Sequence, residues 1–147
     1  MTVPDVAHSV NLTRDGGDVA VSGIPGLAEV STGGGNLTAG DLAGPLQFTT
    51  DGGDINGNDL TAQSLNAGSG GGNVTVVFTR VPANLAISSD GGDITIELPH
   101  GRTAYYVTSG SDGGDDNVSV PVSSNPQAAN KINVDSGGGN ISTMEAN

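Results

Sequence analysis

Apolar and polar residues alternate along this chain in short bursts, among them Val19-Ala20-Val21, Val74-Thr75-Val76, Ile94-Thr95-Ile96 and Val118-Ser119-Val120. Apolar side chains at every second position mark a strand with one buried face, and no stretch carries the caps or the 3.6-residue stripe of a helix. Each burst follows a Gly-Gly signature closed by Asp or Asn. It reads DGGDV (15–19), GGGNL (33–37), DGGDI (51–55), GGGNV (70–74), DGGDI (90–94) and GGGNI (137–141), with an expanded version, GSDGGDDNV, over 110–118. The starts at 15, 33, 51, 70 and 90 are spaced by 18, 18, 19 and 20 residues. Self-similarity at that period predicts a solenoid in which each repeat is one coil.

The predicted fold is therefore all-β: a single-stranded, right-handed β-solenoid of six to seven coils, 18–22 residues each, forming one domain over residues 1–147. Stacking the coils about 4.8 Å apart lines equivalent side chains into columns. The first column is Val19, Leu37, Ile55, Val74, Ile94, Val118 and Ile141. A second is Ala28, Leu46, Leu65, Leu85, Tyr105 and Ile132, with Val30, Phe48, Ala67, Ile87, Val107 and Val134 beside it. Corner positions Ile24, Leu42, Leu60 and Leu98 are expected to close the interior. Val10 and Leu12 fall 18 residues before Ala28 and Val30, so the chain enters partway through a coil and is expected to be truncated at its N-terminus. Unpaired strand edges at the end coils predict self-association there.

The glycine corners call for backbone that tolerates positive φ. The structural corner positions are Gly16-Gly17-Asp18, Gly34-Gly35-Asn36, Gly52-Gly53-Asp54, Gly71-Gly72-Asn73, Gly91-Gly92-Asp93 and Gly138-Gly139-Asn140. Their last residue alternates between Asp and Asn through the first five corners, just as Asp15, Asp51 and Asp90 alternate with Gly33 and Gly70. Carboxylates on adjacent coils would repel by ~0.9 kcal/mol in water, and skipping a coil halves this. The alternation thus reads as a structural ladder that dilutes like charge.

Composition narrows the function classes. There is no cysteine, so disulfides, thiolate metal sites and cysteine nucleophiles are excluded. The net charge is −12, with Arg14, Arg80, Arg102 and Lys131 the only cations, which argues against nucleic acid and anionic membranes as partners. No apolar run reaches bilayer length, so membrane insertion is not expected. Neither a catalytic acid pair nor a Ser-His-Asp arrangement departs from the repeat, so no enzyme activity and no cofactor are expected.

Two constellations stand outside the repeat. Arg80, His100, Arg102 and Tyr106 gather on lengthened corners and are the candidate ligand-binding patch, since insertions in solenoids project from one side. Asp112, Asp115 and Asp116 cluster carboxylates that suit a single calcium ion. The regular corners, by contrast, lack the ligand density of a calcium β-roll, because the GGGN coils supply no carboxylate.

The stretch SGGGNVTVVFTRVPANLAISSDGGDITIELPHGRTAYYVTSGS, followed by Pro-Val-Ser-Ser-Asn-Pro and INVDSGGGNIS, resembles a bacterial family of β-strand-repeat proteins described as adhesins. That domain has no established biochemical function. The resemblance covers nearly the whole chain and implies a location at the cell surface with a protein or surface as partner. The expected function is a non-enzymatic structural or adhesin-like scaffold. Two alternatives stay open: a carbohydrate or small-ligand binding module using the lengthened corners, and a calcium-stabilised, β-roll-like protein.

Overall fold

In a computed structural model, residues 2–3, 9–24, 26–100, 105–119, 127 and 130–145 are described. They form fifteen strands and no helix: β1 (Thr2–Val3), β2 (Val10–Arg14), β3 (Val19–Ser22), β4 (Ala28–Thr32), β5 (Leu37–Gly40), β6 (Leu46–Thr50), β7 (Ile55–Leu60), β8 (Ser64–Ser69), β9 (Val74–Phe78), β10 (Asn84–Ser89), β11 (Ile94–Leu98), β12 (Tyr105–Ser111), β13 (Asp116–Ser119), β14 (Asn130–Ser136) and β15 (Ile141–Glu145). All pairings are parallel, and all but β7–β9, which shifts register between Gly57 and Leu60, stay in register throughout, for example Leu46↔Leu65 and Leu65↔Leu85. Even-numbered strands build a seven-stranded sheet and odd-numbered strands an eight-stranded one. Each coil, or rung, contributes one strand to each sheet and turns between them at the glycine corner. The result is the β-solenoid that the repeat predicts.

Between the sheets runs a dry interior. Val19, Leu37, Ile55, Val74, Ile94 and Ile141 stack from one side, and Ala28, Leu46, Leu65, Leu85 and Ile132 from the other, all buried. Burying one such side chain stabilises by about 1.5–3 kcal/mol, and no rung has enough of them to stand alone. Ile24, Leu42, Leu60 and Leu98 are buried where the interior closes at the second corner, as expected.

The rung order departs from chain order. The sheets run β2-β4-β6-β8-β10-β14-β12 and β1-β3-β5-β7-β9-β11-β15-β13. The C-terminal coil (β14–β15) therefore lies between the coil of β10–β11 and that of β12–β13. Segment 99–104 joins strands two rungs apart, and segment 120–129 leads one rung back. Two of the lengthened corners are thus the connections where the chain crosses a rung, whereas segment 79–83, which carries Arg80, leads from β9 to β10 on the next rung.

The registers of the last two rungs differ from the columns expected from sequence. Val107, not Tyr105, pairs with Ile132, and Ser109 faces Val134. Asp116 occupies the place opposite Ile141, while Val118 lies opposite Thr143. Stretch 110–118 is therefore not an expanded corner. It is an ordinary corner ending at Asp115, followed by a charged residue in the otherwise aliphatic column. The physical reason is the end of the stack. Asp116 is exposed on the outermost rung, and its Oδ2 accepts a hydrogen bond from Ser109 Oγ at 2.5 Å. Such polar end coils close the apolar column of a solenoid.

Candidate functional site

The recurrent acidic corners are the most regular polar feature of the molecule, and each side chain there has a defined task. The backbone N–H of Asn36 donates to Asp18 Oδ1 at 3.0 Å, that of Asp54 to Asn36 Oδ1 at 2.9 Å, and that of Asn73 to Asp54 Oδ1 at 2.8 Å. The series continues from Asp93 to Asn73, from Asn140 to Asp93 and from Asp115 to Asn140, each at 2.8 Å. Asx oxygens thus accept the amides that the corner leaves outside the sheet ladder, satisfying donors that would otherwise go unpaired. In space the column reads Asp, Asn, Asp, Asn, Asp, Asn, Asp. The alternation expected from sequence is complete only because the C-terminal coil is inserted.

Glycine serves these corners in a way that sequence reasoning misjudged. Gly17, at φ 88°, is the only corner glycine among the described residues in the left-handed region. The second glycine of each later corner is required by close stacking. A Cβ on Gly35, Gly53, Gly72, Gly92, Gly139 or Gly114 would lie within 2.3 Å of the carbonyl oxygen of the glycine one rung before. Gly16, Gly34, Gly52 and Gly71 face open space instead.

A second column escaped the sequence reading. Thr32, Thr50, Ser69, Ser89 and Ser136 are buried polar residues. The hydroxyl of Ser89 donates to Gly72 O at 2.9 Å and accepts from the Gly92 amide at 3.0 Å. Ser69, Ser136 and, at the outer rung, Ser111 repeat both bonds. Each hydroxyl ties its own corner to the one before. The signal was available: every one of these residues stands four positions before the corner Asx, and Arg14 takes that place in the first rung.

Of the expected ligand patch, Arg80, His100 and Tyr106 are among the described residues. Arg80 lines an open depression of about 400 Å³ at the second corner, with Ala43, Pro45, Thr61, Gln63, Ser64, Ala83 and Asn84. Neither His100 nor Tyr106 belongs to it. His100 is exposed, and its Nδ1 lies 2.7 Å from Glu145 Oε1. Tyr106 is exposed on the outer face of β12, beside Lys131 in register. Arg102 lies outside the described residues.

Nor do the three acids form a cage. Among the described residues no group of three or more His, Asp or Glu side chains could hold a metal ion. The Asp115 amide is bonded to Asn140 and the Asp116 carboxylate to Ser109. Asp112, exposed, heads the outermost corner, with its amide on the Ser136 carbonyl at 3.0 Å.

With two parallel sheets, a one-per-coil corner and an Asx ladder in view, the comparison with protein families is decisive: the model of the Toastrack DUF4097 family matches residues 1–144. The chain belongs to the Toastrack family. No curated protein and no solved structure matches it. Toastrack domains are repeat-type domains of unknown function, so the chemistry must be argued from this chain's own surfaces. No described helix is long and apolar enough to cross a membrane.

Proposed function

We propose that this Toastrack chain is a non-catalytic, adhesin-like scaffold displayed at a bacterial cell surface. One observation carries the reading. The carboxylates that recur along the chain, which would be the candidates for acid–base or calcium chemistry, serve as acceptors for the amides of the next rung. Chemistry at Asp54 or Asp93 would have to unmake the corner that holds it. What remains is a stack of seven rungs among the described residues, on the order of 30 Å long at the parallel-strand spacing, with the outward residues of its two sheets as its faces. Its net charge of −12 turns it toward proteins or surfaces as partners and away from nucleic acid. At the outer ends, β1, β2, β12 and β13 each have one strand neighbour among the described residues, which is where copies would associate.

The test is thermal melting in millimolar calcium against chelator, paired with attachment of chain-coated beads to cells. A scaffold melts at the same temperature in both conditions, and its beads attach whether or not Arg80 and Tyr106 are replaced by Ala. A rise of many degrees with calcium would overturn the reading, since ligand linkage at a hundredfold excess over Kd gives about 2.7 kcal/mol.

A second reading has its own observation, the Arg80 depression. The guanidinium sits among Thr61, Gln63, Ser64 and Asn84, a setting suited to a small polar ligand bearing a carboxylate, such as an acidic sugar. Saturable binding of an acidic monosaccharide that Arg80→Ala abolishes would favour it over the scaffold.

A further inference from the structure

The first corner position carries a rule about which coil can sit on which. In space this position reads Asp15, Gly33, Asp51, Gly70, Asp90, Gly137, Asp112, and from Gly33 onward each amide donates to the carbonyl at the end of the strand one rung before. A Cβ on Gly33 or Gly70 would lie 2.3 Å from the carbonyl oxygen of Asp15 or Asp51, and one on Gly137 would lie 2.4 Å from that of Asp90. Side-chain carbons do not come that close to a carbonyl, so only glycine stacks on an Asp-type corner. The reverse step is free, because Asp51, Asp90 and Asp112 each stack on a Gly-type corner and carry their Cβ there. The Asx position follows the same alternation.

Chain order breaks this rule once. The corner beginning at Asp90 is followed in sequence by the one beginning at Asp112, and only then by the glycine corner at 137. Stacked in that order, Asp112 would drive its Cβ into the Asp90 carbonyl and place Asp115 directly against Asp93. Inserting the C-terminal coil removes both conflicts. We propose that corner type is a stacking code, and that this code selects residues 130–145 as the rung between β10–β11 and β12–β13.

The absence of cysteine allows a clean test by disulfide trapping in the full chain. Ala86 and Asn133 are exposed partners on adjacent strands, whereas Ala86 and Thr108 are two rungs apart. Ala86→Cys with Asn133→Cys is expected to oxidise to a disulfide, and Ala86→Cys with Thr108→Cys is expected to stay reduced. In a corner-exchanged chain (Asp112→Gly, Asp115→Asn, Gly137→Asp, Asn140→Asp) the two results should trade places. An exchanged chain that still joined 86 to 133 would overturn the code.

Single substitutions keep the idea exposed should the exchanged chain not fold. Gly137→Ala should lower the melting temperature by roughly 10 °C or more, while Gly138→Ala and Asp112→Gly should each shift it by no more than about 3 °C. Gly138 has only ordinary contacts at its would-be Cβ, the nearest at 3.8 Å. Equal small shifts in all three variants would overturn the code as well.

Discussion

At the glycine corner every rung spends the same four residues, from Asp or Gly to the corner Asx, whereas the opposite corner changes length from coil to coil. The column residues Val10, Ala28, Leu46, Leu65, Leu85, Val107 and Ile132 each stand eight positions before their corner Asx. Spacing that grows from 18 to 19 to 20 therefore has to be absorbed on the other side. There β7 takes up an extra residue between Gly57 and Leu60, with Asp59 at φ 52°, and Asp41 holds φ 53° in an equivalent turn. The difference teaches where the fold is specified. A corner tied to its neighbours by side-chain and backbone bonds on every rung keeps a constant length and tolerates no Cβ at its second glycine. A corner closed mainly by a buried aliphatic such as Leu42 or Leu60 can lengthen, hold the Arg80 depression and carry the two chain crossings.

The sharpest way to break this comparison is Gly53→Ala. Its Cβ would lie 2.0 Å from the Gly35 carbonyl oxygen, so a loss of about 4 kcal/mol or more in urea unfolding, or failure to fold, is expected. Gly52→Ala, one residue earlier and facing open space, should change stability by no more than about 0.5 kcal/mol. Equal effects would dissolve the distinction between the two glycines.

Next in size is Ser89→Ala, which strands the Gly92 amide and removes the tie to Gly72 in a buried site. A loss of about 1–3 kcal/mol is expected by the same measurement. Asn73→Asp should follow at about 1 kcal/mol, because it sets carboxylates on three consecutive rungs, 54, 73 and 93. Molar salt should recover most of that loss, whereas it should do nothing for Ser89→Ala.

Two smaller changes should raise stability. Thr143 is fully buried, and its hydroxyl has no hydrogen-bond partner among the described residues. Thr143→Val should gain about 1 kcal/mol, visible as a higher melting temperature. Asp59→Gly relieves left-handed backbone at the second corner, and should gain at most about 0.5 kcal/mol after the entropy cost of glycine is subtracted. A loss instead would mean that this turn is held as tightly as the glycine corner.

What the sequence alone determined is the repeat and everything local to it: strands from period-two alternation, coils from corner spacing, the aliphatic columns of the first five rungs and the Asp/Asn ladder. These are legible because each depends on residues at fixed separations within a coil and the next. The candidate patch was not legible as one site, since Arg80 and His100 follow β9 and β11 on adjacent rungs while Tyr106 lies on β12, two rungs further on, an order that spacing along the chain does not show. The buried hydroxyl column was present at a constant offset, but Ser and Thr before a turn also read as ordinary surface residues. Only the tertiary structure decided the order of the last two rungs, and with it the register of Val107, Asp116 and Val118. Stacking joins coils through space regardless of their order along the chain. Two Asp-type corners in succession are an ordinary pair in sequence; they conflict only when one rung's Cβ meets the next rung's carbonyl.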